Sequence, residues 1–120
     1  MHEKMYTVGE LSRLSGATIR TIQYYDKIDL LKANRDVKKN IRYYSKNDLM
    51  TLQQILFYKR LGFSLKEIKT NLINFDDVAD IKNILQSQAD ILFQQEMDIK
   101  LRLTIIQAVN NVLETDPNQD

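Results

Sequence analysis

Apolar residues along this chain change their spacing from segment to segment, and each spacing predicts an element. Val8, Leu11 and Leu14 recur at helical intervals behind Thr7-Val8-Gly9-Glu10. That tetrad is a capping box, in which the Thr hydroxyl and the Glu carboxylate each take one orphan amide. Ser15-Gly16 stops this helix, because Gly enters the left-handed conformation without a steric penalty. Thr18 is the N-cap of a second helix running to Lys27, in which Ile19 and Ile22 form the side expected to be buried. Ile28-Asp29-Leu30-Leu31 leaves that helix and takes the two leucines into the core. Residues 33–36 and 41–44 read as short strands around Val37-Lys38-Lys39-Asn40, a hairpin with Asn40 as its turn residue. Ser45-Lys46-Asn47-Asp48 caps another helix, carried by Leu49, Leu52, Ile55, Leu56 and Leu61 as far as Gly62. Ser64-Leu65-Lys66-Glu67 caps the next, with Leu65, Ile68 and Leu72 apolar.

The last segment is of another kind. From Asp77 to Glu114 neither Gly nor Pro intervenes, and Asp116-Pro117 ends the run. About 37 residues at 1.5 Å each predict a helix of about 55 Å. Leu85, Leu92, Ile99, Ile106 and Leu113 recur every seven residues, and Leu103 and Val109 extend the row. Ile84, Ile91, Ile105 and Val112 form a second apolar edge. A head of about 70 residues cannot bury such a helix, so it needs another helix beside it. Gln88, Gln95 and Arg102 flank the seam, which is therefore not a pure leucine zipper. The expected fold is mainly α with one small β-hairpin. Its head spans residues 5–74, a dimerisation helix 77–115 and a tail 116–120.

Two short helices joined by a tight turn containing Gly make a helix-turn-helix, the second helix being the reader. Arg20, Gln23, Tyr24 and Lys27 stand at i, i+3, i+4 and i+7 and so share one face of it. Arg and Gln bond base edges in a major groove, while Lys and a Tyr hydroxyl reach phosphates. Thr18 and Thr21 belong to the same surface, and Tyr25, about 100° around the helix from Tyr24, packs inward. Alone, this face would read as the solvated side of an ordinary amphipathic helix; the preceding helix and the following hairpin favour DNA. Arg35, Lys38, Lys39, Arg42 and Tyr43 make the hairpin a basic wing lying along a phosphate backbone. The cluster Tyr58-Lys59-Arg60 and the helix start at Ser64 and Lys66 form a second candidate phosphate site, since helix N-termini attract anions.

Charge sharpens this division. Residues 1–70 hold 14 Lys and Arg against 7 Asp and Glu, a net of +7, whereas residues 71–120 hold 3 against 9, a net of −6. A basic head with an acidic stalk suits a polyanion at one end only. The absence of Cys excludes disulfides, thiolate metal sites and Cys nucleophiles, and fits a reducing cytoplasm. The single His, His2, is at the N-terminus, and the 3 Gly are too scattered for a phosphate-cradling loop. No catalytic residue, cofactor or metal site is expected. No apolar run approaches the ~18 residues of a membrane span, and no signal-peptide pattern opens the chain.

The stretch from Tyr6-Thr7-Val8-Gly9-Glu10-Leu11 through Arg20-Thr21-Ile22-Gln23-Tyr24-Tyr25-Asp26 resembles the MerR family of bacterial transcription regulators. The match continues through Leu30-Leu31-Lys32, Arg42-Tyr43-Tyr44-Ser45, Asp48-Leu49, Leu52-Gln53-Gln54-Ile55-Leu56-Phe57 and Leu61-Gly62-Phe63-Ser64-Leu65-Lys66-Glu67-Ile68. The resemblance implies a winged helix-turn-helix that binds double-stranded promoter DNA as a homodimer. It also implies a helix pair acting as a second wing, an Arg at the position of Arg42, and an antiparallel coiled coil between two subunits. Members distort promoters with over-long spacers so that RNA polymerase engages them. The chain departs from the family at Asp29, where Gly is usual, at Lys39-Asn40-Ile41, where Asn-Gly-Tyr is common, and at Gln23, where Arg is usual. The family's effector site follows the long helix. Lacking thiolates, the chain falls outside the thiolate metal-sensor subclass. It reads either as an effector-less regulator or as the DNA-binding half of a longer protein of the multidrug or TipA-like branch, its small-molecule effector unknown. The second is favoured because the apolar edge Ile105, Ala108 and Val112 continues to the end. The alternative is a coiled-coil interaction module whose basic head binds protein.

Overall fold

A computed structural model describes residues 4–73 and 78–115 of the chain. The elements run β1 (Met5–Tyr6), α1 (Val8–Ser15), α2 (Ile19–Lys27), β2 (Asn34–Asp36), β3 (Ile41–Ser45), α3 (Lys46–Arg60) and α4 (Leu65–Glu67). A π-helical turn over Ile68–Leu72 continues α4, and α5 spans Val78–Glu114. Contacts divide the chain into Met1–Ile81 and Lys82–Asp120, the second made from the greater part of α5. His2, Asn74, Asp77 and the expected tail 116–120 lie outside the described residues.

Caps define the short helices. Thr7 Oγ1 accepts from the Glu10 amide at 3.1 Å, and Glu10 Oε1 accepts from the Thr7 amide at 3.0 Å. The same reciprocal pair forms between Ser45 and Asp48 and between Ser64 and Glu67. Gly16, with φ 84°, closes α1, and its amide donates to the Ser12 carbonyl at 2.9 Å. Ser12 Oγ then donates to the Ala17 carbonyl at 2.6 Å and the Ala17 amide donates to Ser15 Oγ at 3.1 Å. These bonds draw the turn tight and set α2 against α1. After α2 the chain reverses through Asp29, φ 61°, so that the Leu30 and Leu31 amides both reach the Tyr25 carbonyl.

The sheet is antiparallel in the order β1-β3-β2. β3 pairs with β1 through Met5↔Ser45 and Tyr6↔Tyr44, and with β2 through Asn34↔Tyr43, Arg35↔Arg42 and Asp36↔Ile41. Since alternate residues face opposite sides, Tyr6, Tyr44, Arg42 and Arg35 share one face. Tyr6 and Tyr44 enter the core there, with Leu11, Ile22, Tyr25, Leu30, Leu31, Leu52, Ile55, Tyr58, Phe63 and Ile68.

Several expectations need correction. Ile19 is exposed, because the buried side of the nine-residue α2 begins one turn later, at Ile22, and continues to Tyr25. Tyr58, grouped by sequence with Lys59 and Arg60, is a core residue, its ring edge-on to Phe63 with centroids 6.1 Å apart. The helix expected from Leu65 is a three-residue α-helix followed by the π turn. β1 was not expected at all; two residues are too few to show a period of two. In α5 every residue from Asp90 to Glu114 is exposed.

Candidate nucleic-acid interface

The interface is built first on α2. Thr18 Oγ1 accepts from the Thr21 amide at 3.1 Å and donates to Thr21 Oγ1 at 2.9 Å, so both threonines are engaged in starting the helix. Burial of Ile22 and Tyr25 turns the other side outward, and Arg20, Gln23, Tyr24 and Lys27 are all exposed. Tyr24 keeps 50% of its surface in solvent while its neighbour Tyr25 keeps 5%. Burial, with Tyr24 adding to it, raises the Tyr25 phenol above its ordinary value of 10.0. Four hydrogen-bond donors on a rigid exposed face are what a groove reader requires.

The hairpin supplies the second part. The carboxylate of Asp36 accepts from the amides of Lys38 and Lys39 at 3.1 and 3.3 Å, and Asn40 adopts φ 51° to close the turn. Lys38 and Lys39 are thereby held at an exposed tip. Arg35 and Arg42 are direct register partners on one face of the hairpin, an arrangement of like charges that costs stability unless an anion is near. Tyr43, the remaining wing residue expected from sequence, lies half-buried on the opposite face and pairs with Asn34.

Two carboxylates fasten this hairpin to the helices. Asp26, in the last turn of α2, accepts from the Ala33 amide at 2.9 Å through Oδ1 and lies 3.4 Å from Arg42 Nη1 through Oδ2. Asp48, in the first turn of α3, takes Asn34 Nδ2 at 3.0 Å and the Ser45 amide at 2.8 Å on one oxygen. Asn34 Nδ2 also donates to the Tyr43 carbonyl at 3.2 Å. The Tyr44 phenol is pushed above its ordinary value by burial first and next by Asp26, against the opposing pull of Arg42.

The third group is looser. Lys59, Arg60, Ser64 and Lys66 are exposed, but Ser64 spends its hydroxyl and its amide on Glu67 at 3.1 Å each. Those bonds, the backbone one foremost, hold the Glu67 carboxyl below 4.5. The helix start is thus already occupied by its own carboxylate. Lys69, which sequence reasoning did not single out, donates from Nζ to the Ile28 carbonyl at 3.2 Å and so joins the π turn to the end of α2. Asp26 was also missed as a site residue. A sequence signal existed, because a carboxylate in the last turn of a helix meets the negative end of its dipole and calls for a partner.

The reader helix, the hairpin and the α3 and α4 caps all fall inside residues 6–73, which match the family described as MerR HTH family regulatory protein. The chain belongs to this family. Within the MerR family it is 45% identical over 97 residues to the HTH-type transcriptional activator mta of Bacillus subtilis (strain 168), covering 78% of this chain and 36% of that protein. The chain therefore spans about a third of the length of that relative. Among solved structures it resembles MtaN, the N-terminus of the Bacillus subtilis multidrug transporter activator, at 38% identity and a TM-score of 0.75 over 92% of this chain and 99% of that one. It also resembles HiNmlR, a MerR family regulator lacking the sensor domain and bound to promoter DNA. There the identity is 26% and the TM-score 0.60, over 84% of this chain and 80% of that one. The MerR-family chain here is mainly helical, with a three-stranded wing sheet and a long last helix.

Proposed function

We propose that this chain is a regulator of transcription rather than an enzyme, binding double-stranded promoter DNA as a homodimer and acting by distorting the duplex. The observation that carries the reading is the exposed face Arg20, Gln23, Tyr24 and Lys27, with a basic hairpin tied to the same helix through Asp26 and Arg42. Bases are read by Arg20, which can pair bidentately with guanine, and by Gln23; Tyr24, Lys27, Arg35, Lys38, Lys39 and Arg42 hold phosphates. Lys59, Arg60 and Lys66 extend the backbone contacts. HiNmlR, of similar fold, is bound to promoter DNA, which supports the polyanion as ligand.

The homodimer reading rests on α5. Leu92, Ile99, Leu103, Ile106, Val109 and Leu113 are all exposed along one side of a 37-residue helix. Leu85 continues the row, half-buried. An apolar row of this length is rarely left in water. An antiparallel pair of such helices, each about 55 Å long, sets two heads apart by more than one turn of duplex, about 34 Å. Two heads meeting half-sites at another spacing must bend or untwist the DNA between them, and RNA polymerase would sense that change through the promoter. A cytoplasmic location goes with this role, and no described helix is long and apolar enough to cross a membrane.

The test combines sedimentation with duplex binding across a salt series. A dimer at micromolar concentration whose affinity falls steeply with salt is expected. A dimer with no affinity for duplex DNA would replace the reading by that of a protein-interaction module, and a monomer would remove the homodimer.

A further inference from the structure

Asp26 presents a contradiction if the face around it receives DNA. A carboxylate beside a polyanion is repelled, and at the end of α2 it also opposes the helix dipole. Yet it stands between the reader helix and the wing, with 16% of its side chain exposed against 51% for Arg42. Its two oxygens are divided between two tasks. Oδ1 takes the Ala33 amide at 2.9 Å, which fixes the carboxylate on the segment leading into the hairpin. Oδ2 faces Nη1 of Arg42 at 3.4 Å, leaving the rest of the guanidinium fork unused by it. Arg35 is the register partner of Arg42 on the same face, so a second cation stands beside the one that Asp26 pairs with. The donors of Arg42 that Asp26 does not engage lie on a planar group whose fixed geometry matches a phosphate.

We propose that Asp26 is a positioning residue for phosphate capture: it holds the Arg42 guanidinium between reader helix and wing, so that the free side of the fork meets the DNA backbone. This rests on the duplex-binding reading given above. A freely rotating Arg would lose its side-chain freedom on binding; one already braced by a carboxylate loses less. The bracing also couples the two parts of the interface, since the angle of the wing to α2 is then set before DNA arrives.

The proposal makes a prediction opposite in sign to simple electrostatics. Asp26→Asn removes a negative charge from a DNA-facing surface, and screening theory alone predicts equal or tighter binding. Loss of the brace predicts weaker binding, by roughly three- to tenfold to a mixed-sequence duplex at about 0.1 M salt. The Asn Oδ1 still accepts from Ala33, so the turn is spared. Across about 50 to 200 mM salt, the variant should lose about threefold less affinity than the wild type, the mark of one phosphate contact fewer. A purely structural role would lower the unfolding midpoint and leave that slope unchanged. Arg42→Ala should match Asp26→Asn in slope, and the double variant should add nothing to Arg42→Ala.

Wild-type or tighter binding by Asp26→Asn, or an unchanged slope, would overturn the proposal. Should Asp26→Asn fail to fold, Arg42→Lys serves in its place, because it keeps the charge and loses the fork. Weakened binding at an unchanged slope is then expected, because the lysine charge still displaces counterions while the bidentate fork is gone, and wild-type affinity would overturn the proposal. If the wild type itself binds no duplex, the reading fails and the inference with it, whereas binding by the wild type with an insensitive Asp26→Asn fails the inference alone.

Discussion

The head and the long helix use similar side chains to opposite ends. Between Tyr6 and Ile68 the chain buries leucines, isoleucines and tyrosines against one another until several have no solvent contact. Between Ile91 and Leu113 the same residue types stand in solvent, each about half exposed or more except Leu92 at 43%. Apolar residues therefore mean different things in the two regions. In the head, residues far apart in sequence, such as Leu11, Leu52 and Ile68, share one core within a single chain. In a straight helix they are strung along a line and cannot reach each other, so burial must come from outside. The polar pairs differ in the same way. On the helix they are local, Glu96 with Lys100 at 2.8 Å and Asp98 with Arg102 at 2.7 Å, each four residues apart. In the head, Asp26 reaches Arg42 and Lys69 reaches Ile28, across loops and elements.

The sharpest way to break this contrast is to charge the middle of the exposed row. Ile99→Asp removes one aliphatic from each of two copies. At ~1.5–3 kcal/mol per buried side chain, the dimer should lose about 3–6 kcal/mol. Sedimentation equilibrium would show monomers at micromolar concentration, with operator affinity falling by at least the loss of the second head. An unchanged dimer would place the seam elsewhere.

The mirror experiment is made in the head. Leu52 has no exposed surface, and Leu52→Ala should destabilise that unit by about 2–5 kcal/mol, read from chemical unfolding. Self-association through α5 should survive it. If instead association weakens in proportion, the two regions fold as one cooperative unit and the contrast drawn above fails.

Arg20→Ala leaves both folds untouched and probes only what the head displays. About 1–3 kcal/mol of discrimination should disappear at one base pair of each half-site, measured against a panel of duplex variants. Uniform weakening across all variants would reassign Arg20 to a phosphate. Gln23 departs from the usual Arg of the family, so the preferred bases at its position should differ from those of family operators.

Acid should produce the smallest effect. Glu10 is held below 4.5 chiefly by the Thr7 amide and Glu67 chiefly by the Ser64 amide, both in the head. On the helix, Glu96 is lowered by Lys100. For each, the folded value is depressed, so its contribution is fully present above about pH 4.5 and is lost as pH falls through the lower folded value. Thermal unfolding followed from pH 6 to 3 should show a slight loss in the head that Glu10→Gln with Glu67→Gln removes. A pH dependence unaltered by those substitutions would assign the loss to other carboxylates.

The sequence alone determined whatever depends on a few neighbouring residues. Thr7 with Glu10, Thr18 with Thr21, Ser45 with Asp48 and Ser64 with Glu67 cap helices across three positions, and each cap is formed. Asn40 closes the hairpin as its turn residue, and the 37-residue helix follows from an uninterrupted run. Tertiary structure alone decided which side of each element found company. Ile19 and Ile22 look alike in sequence, yet only Ile22 meets the core. Two residues become β1 only because β3 lies beside them, and Tyr58 leaves a basic cluster for the edge of Phe63. Asp26 acquires its partner 16 positions on, and Lys69 caps a carbonyl 41 positions back. The reason is one of range: a cap or a backbone preference is satisfied within one turn of chain, whereas a contact between distant residues requires the intervening loop to close, and closure depends on every other contact in the core.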